Sequence, residues 1–189
     1  MKQLFKKLVT IKLYEFTRIQ LMLSRPYVVT IIGTTNRTLV KEIVEQVLEK
    51  ETTVHTNEPQ WNSEIGIPLT ILRTNVVSHS LIGWFITLWK AWFKIFSGGY
   101  PKVVVLEVAF NTKGDMKQMS RLLQPDAVVI NDMQPLDGRF FVNEKDILVK
   151  EYLAMIKWGS KQDIVVINAA LPEKERMYKA TKRTVIEYS

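Results

Sequence analysis

Two hydrophobic periods alternate along the chain. Residues 2 to 23 carry apolar side chains at helical spacing, with Leu4, Leu8 and Ile11 on one stripe and Phe5, Val9, Leu13 and Phe16 on the next. Pro26 ends this helix, because the residue before a proline avoids the α region. Residues 27 to 32, YVVTII, form a β-branched apolar run of the buried-strand type. After a polar turn at 33 to 37, residues 38 to 50 return to helical spacing, with Val40, Ile43, Val44, Val47 and Leu48 as the apolar face. Polar residues 51 to 66 predict a loop, and 68 to 72 a short element. Residues 80 to 96 predict a helix crowded with aromatics, broken by Gly98-Gly99. Beyond it the pattern predicts strands at 103–108, 127–130, 164–168 and 184–188. Helices fall between them at 115–123, 145–158 and 173–181. This alternation predicts an α/β fold: a mostly parallel sheet flanked by helices, with an extra N-terminal helix.

Composition narrows the chemistry. The 189 residues suffice for one domain with a core, divided as a basic amphipathic helix at 1–25 and a main unit at 26–189. There is no cysteine, which excludes a disulfide framework and thiolate metal sites, and only His55 and His79 are present. The net charge of +7 favours an anionic partner. Lys2, Lys6, Lys7, Lys12, Arg18 and Arg25 face one acid, Glu15, in the first 25 residues, although a solvated helix face would account for that equally well. No signal peptide is evident. No run reaches the ~18 apolar residues of a spanning helix. The expected location is cytoplasmic, with the inner membrane face as a candidate surface.

Strand, polar turn and helix at 27–50 form the layout that aims backbone N–H groups and a helix N-terminus at phosphates. The candidate cradle is Gly33, Thr34, Thr35, Asn36, Arg37 and Thr38. Measured against the full phosphate-loop pattern, Ile31 holds the first glycine position, Asn36 the second and Arg37 the lysine; only Thr38 matches. Asparagine tolerates the left-handed region better than most residues. Arginine keeps the charge in a bulkier, forked form. The Thr38 hydroxyl could still ligate Mg²⁺.

Four further segments stand in a telling order. Asn62-Ser63-Glu64-Ile65-Gly66-Ile67-Pro68-Leu69-Thr70 resembles the N-N-E-I-G-x-P-L-T segment of the Mur ligase type that adds D-alanyl-D-alanine to the peptidoglycan precursor. Tyr100-Pro101-Lys102 with the following strand to Glu107, Gln124-Pro125-Asp126 with its strand, and Ile167-Asn168 resemble later segments of the same family. The resemblance covers roughly residues 26 to 188 and implies the central ATPase domain of a Mur ligase. It implies ATP and Mg²⁺ as cofactors, with the metal near Thr38, Glu107 and Asp137, where aspartate replaces a histidine. It also implies Asn168 on the nucleotide side and Lys150 as a counterpart of a lysine carbamylated in some members. A surface role for Lys150 is at least as plausible on its residue type. Ala170 and Leu171 replace two aspartates of the family pattern, which weakens adenosine recognition. The family's flanking domains have no counterpart in 189 residues, so the expectation is a degenerate, truncated, non-catalytic nucleotide-binding or scaffold protein linked to cell-wall synthesis. The alternatives are an ATP-dependent amide ligase whose missing domains come from a protein partner, and an interaction module that binds no nucleotide.

The helix at 80–96 carries Trp84, Phe85, Leu88, Trp89, Trp92, Phe93 and Phe96 with Lys90 and Lys94. That composition predicts contact with a membrane interface or a protein partner, together with residues 1–25. Its aromatics do not interleave with basic residues as a stacking platform would, which argues against nucleic acid.

Overall fold

The computed structural model describes residues 2–109, 113–133, 145–157 and 163–189. Helix α1 (Lys2–Ser24) leads into β1 (Tyr27–Ile32) and α2 (Arg37–Leu48). Next come β2 (Val54–Thr56), a 3-10 turn at Pro59–Trp61, α3 (Gly66–Ile71), α4 (Leu81–Ile95) and β3 (Val103–Glu107). The remainder alternates: α5 (Asp115–Leu123), β4 (Ala127–Ile130), α6 (Lys145–Ile156), β5 (Ile164–Asn168), α7 (Lys174–Ala180) and β6 (Thr184–Tyr188). All six strands are parallel, in the order β2-β3-β1-β4-β5-β6.

The expected elements are present, and two more join them. Residues 51–66 are not merely a loop: Val54, His55 and Thr56 pair in register with Val103, Val104 and Val105 as an edge strand. Three residues of mixed polarity give no alternation long enough to detect. The 66–71 helix is also missed as such, because Pro68 sits in its first turn, where its absent N–H leaves no bond unmade.

Strand alternation divides the core in two. Val29, Ile31, Val105 and Val129 face α2, whose Val40, Val44 and Leu48 pack on them. Ile43 and Val47, expected on that apolar face, are exposed, and Lys41 is buried instead. Val28, Ile32, Val104, Leu106, Val128 and Ile130 face the other way, into a cluster with α5 and α6. A separate cluster joins α1, α3 and α4 through Val9, Leu13, Leu69, Leu72, Trp84, Ala91 and Ile95. Of the two stripes on α1, the Val9–Leu13 stripe is buried and Leu4, Leu8 and Ile11 are exposed.

From β1 the chain runs out to the edge strand β2, returns through β3 beside β1, and then passes to β4 on the other side. Strand order reverses at β1, and in open α/β sheets the crevice beyond the strand ends at such a point is where ligands bind. The turn after β1, the end of β3 and the residues after β4 meet there.

Candidate functional site: a phosphate loop closed on its own side chains

The turn between β1 and α2 is shaped for an anion. Asn36, at the second glycine position, has φ 53°, the left-handed conformation a glycine would otherwise supply. The backbone N–H groups of Thr34 and Thr35 converge on a single point. What they meet is the carboxylate of Asp132, two residues beyond β4. The Thr34 amide donates to Asp132 Oδ1 at 2.6 Å and the Thr35 amide at 3.0 Å. The Thr34 hydroxyl donates to Oδ2 at 3.0 Å, and the Thr35 hydroxyl donates to the same oxygen. Burial pushes this carboxyl's pKa up, but the bonds from Thr35 and Thr34 outweigh it and hold the group below its ordinary value.

Two supports keep the carboxylate there. Gly33 carries no Cβ; one placed on its backbone would lie 2.6 Å from Asp132 Oδ1. Neighbouring Asn131 donates from Nδ2 to the Thr35 carbonyl at 3.1 Å and accepts from the Tyr188 hydroxyl at 2.8 Å. The end of β6 therefore braces the loop through Asn131.

The cation side is also internally matched. Glu107, 2% exposed, receives the Thr38 hydroxyl at 2.8 Å on Oε2 and Asn62 Nδ2 at 3.1 Å on Oε1. Arg37 Nε lies 3.3 Å from Oε1, while Arg37 NH1 donates to the Gly33 carbonyl at 2.7 Å. Buried Asn57 holds the Glu107 backbone, accepting its N–H at 2.8 Å and donating to its carbonyl at 3.0 Å. Buried Lys41 in turn donates to the Asn57 carbonyl.

Residues 33–38 and Glu107 are thus brought together with Asn62, Asn131 and Asp132. Asn168 ends β5 and accepts the Ala170 N–H at 2.9 Å, a local turn. Lys150 is exposed on α6. Asp137 lies outside the described residues. The sequence alone does not single out Asp132 or Asn131; their signal, an Asn-Asp pair at the end of a strand predicted to neighbour β1, becomes visible only once strand order is known.

The phosphate-facing and metal-facing groups of this site are paired with one another. The amides that would take a phosphate already hold a carboxylate. The oxygens that would ligate a metal face a guanidinium and a donated hydroxyl. No group of three or more metal-binding side chains occurs among the described residues.

A parallel sheet with a strand–loop–helix cradle at its switch point defines a phosphate-loop α/β domain. No family model matches the chain. The chain is similar to Mur ligases in sequence and fold. It is 26% identical over 145 residues to the UDP-N-acetylmuramoyl-tripeptide–D-alanyl-D-alanine ligase of Bacillus subtilis, covering 74% of this chain and 25% of that protein. The ADP complex of MurF ligase from Thermotoga maritima superimposes with a TM-score of 0.73 at 19% identity, over 94% of this chain and 36% of that one. Folylpolyglutamate synthase of Mycobacterium tuberculosis, complexed with ADP, gives 0.57 at 16% identity over 92% and 46%. The chain thus spans about a quarter of the curated relative's length.

Proposed function

We propose that this chain is a non-catalytic, Mur-ligase-like scaffold domain linked to cell-wall synthesis, with its phosphate loop held in a self-satisfied form. The observation that carries this reading is the Asp132 carboxylate on the Thr34 and Thr35 amides. A phosphate entering there must displace an anion that is already hydrogen-bonded, and until it does so it meets like charge. A magnesium ion at Glu107 must displace Arg37, and without Mg²⁺ the charge of a triphosphate is left unbalanced. Both substitutions cost free energy that the glycine-rich, lysine-bearing loop does not require.

The test is calorimetric titration of the full chain with ATP and Mg²⁺, beside Asp132→Asn. The wild type is expected to bind no tighter than about millimolar, and the variant at least about tenfold tighter, since one amide–carboxylate competitor is worth roughly 1.4 kcal/mol or more. Micromolar binding by the wild type with release of inorganic phosphate would overturn the proposal.

A second reading, an ATP-dependent carboxylate–amine ligase completed by a partner that supplies further domains, is favoured by one observation. The Thermotoga maritima and Mycobacterium tuberculosis neighbours are ADP complexes. In that reading ATP expels Asp132, and tight wild-type binding in the same titration is its signature.

A further inference from the structure

Helix α4 is apolar on the side it turns to solvent as well as on the side it buries. Trp84, Ala91 and Ile95 are buried in the cluster with α1 and α3, and Gly83 and Thr87 are buried on the same side. At 100° per residue, Leu81, Phe85, Trp89 and Phe93 form one row on the opposite side, with Ile82 and Ile86 beside it. All six are exposed, Phe85 at 66% and Trp89 at 58%. Their rings follow one another along the helix: Phe85 stacks on Trp89 at 6.3 Å between centroids, and Trp89 meets Phe93 at 5.2 Å in a tilted pair. Lys90 borders this row on the wheel, one turn from Ile86, and Lys94 lies one turn further along, donating to the Arg73 carbonyl. The apolar surface continues onto α1, because Leu4 and Leu8 line the same groove as Leu81. Lys7, Ile11 and Arg18 project on the side of α1 that exposes Leu4 and Leu8.

Charge is segregated onto the two segments that carry these helices. Between Glu64 and Glu107 there is no acidic residue, and Arg73, Lys90, Lys94 and Lys102 lie in that stretch. With the six basic residues and single acid of 1–25, these two segments carry a net charge of +9, which leaves −2 for the rest of a chain that totals +7. We infer that the α1–α4 face docks in the plane of an anionic lipid bilayer, with the Phe85–Trp89–Phe93 row at headgroup depth and the lysines and arginines on lipid phosphates. Exposed aromatics beside basic residues on a helix match an interface with an apolar interior and an anionic surface. A second copy of the chain is disfavoured as occupant, because it would set one basic face against another. No described helix is long and apolar enough to cross a membrane, so the face lies on the bilayer rather than in it. The inference does not depend on whether the phosphate loop takes nucleotide.

The experiment is flotation of the full chain with phosphatidylcholine vesicles, with and without phosphatidylglycerol. The wild type is expected to float with the anionic vesicles and to show a blue-shifted tryptophan emission. Phe85→Glu with Trp89→Glu should abolish flotation, and Lys7→Glu with Arg18→Glu should weaken it by about tenfold or more, as expected for charges near an anionic surface. All four side chains are exposed, so the variants should keep wild-type circular dichroism and melting. Absence of flotation with anionic vesicles overturns the inference, as does equal flotation of wild type and the Phe85–Trp89 variant. Concentration-dependent self-association that Trp89→Glu removes, without vesicle binding, assigns the face to a second copy instead.

Discussion

Asp132 and Arg37 divide the loop between them, one supplying the negative charge at its amides and the other the positive charge at Glu107. The Asp132 interaction has a pH signature. Its folded pKa is depressed, so the stabilisation is present above the unfolded value of about 3.9 and is lost as pH falls through the folded value. Asp132→Asn should therefore lower stability at pH 7 by roughly 1 kcal/mol, a figure reduced for solvent screening of a partly exposed group. The gap in melting temperature between wild type and variant should narrow as pH falls below the ordinary carboxylate value and the depressed Asp132 carboxyl takes up its proton; a gap unchanged in acid would show that ionisation is not what Asp132 contributes. Asn57 is the opposite case, a buried amide that satisfies both backbone groups of Glu107. Asn57→Ala leaves a buried donor and acceptor unpaired and should cost about 2–4 kcal/mol by chemical denaturation. Thr38 and Glu107 were legible in the sequence because family order marks them. Asp132 and Asn57 were not, because their roles arise from strand adjacency across 98 and 50 positions.

Helix ends and helix contacts carry the next level. The sequence drew attention to Lys150, which is exposed, whereas its neighbour Glu151 turns inward from α6. Glu151 accepts the Gly114 N–H at 2.6 Å and the Met116 N–H at 3.1 Å, closing the N-terminus of α5 from a different helix. Carboxylates at helix N-termini bind otherwise unpaired N–H groups and favour the helix dipole. Glu151→Gln should cost about 1–2 kcal/mol, while Lys150→Ala should stay within about 0.5 kcal/mol, both read from urea midpoints. The Asn62–Thr70 segment yields to the same treatment. Its Gly66 opens α3 directly over the Trp61 backbone, where a Cβ would stand 2.5 Å from the Trp61 Cα. Gly66→Ala should destabilise by about 1–3 kcal/mol through overpacking against backbone that cannot yield. The motif that marks the family in sequence thus has a steric reason for its glycine and a site reason for Asn62, which holds Glu107. Glu64 is spent on the surface, paired with Lys6 at 2.7 Å. Periodicity located the long helices because each buries one face. It misjudged α2, whose Ile43 and Val47 remain exposed, since period alone does not say how wide the covered stripe is.

Across the molecule, the sheet with its two covered faces is one packing unit, and the α1–α3–α4 cluster is another laid beside it. The second unit has no strand of its own. Leu13, fully buried, is its centre on α1, and Trp84, Ala91 and Ile95 meet it from α4. Leu13→Ala should cost about 2–5 kcal/mol, the range for a leucine removed from a packed core. The loss should not spread evenly. Regions held by different clusters open with different free energies. In native-state hydrogen exchange, amides of α1 and α4 should lose protection together, while those of β1, β3 and β4 keep theirs, because the strand bonds and the α2, α5 and α6 contacts are untouched by the substitution. A uniform fall in protection would show that the two clusters unfold as one. The distinction bears on both proposed surfaces. If the helical unit opens independently, the basic aromatic face can adjust on a lipid surface without disturbing the loop that Asp132 and Asn131 hold closed at the strand ends.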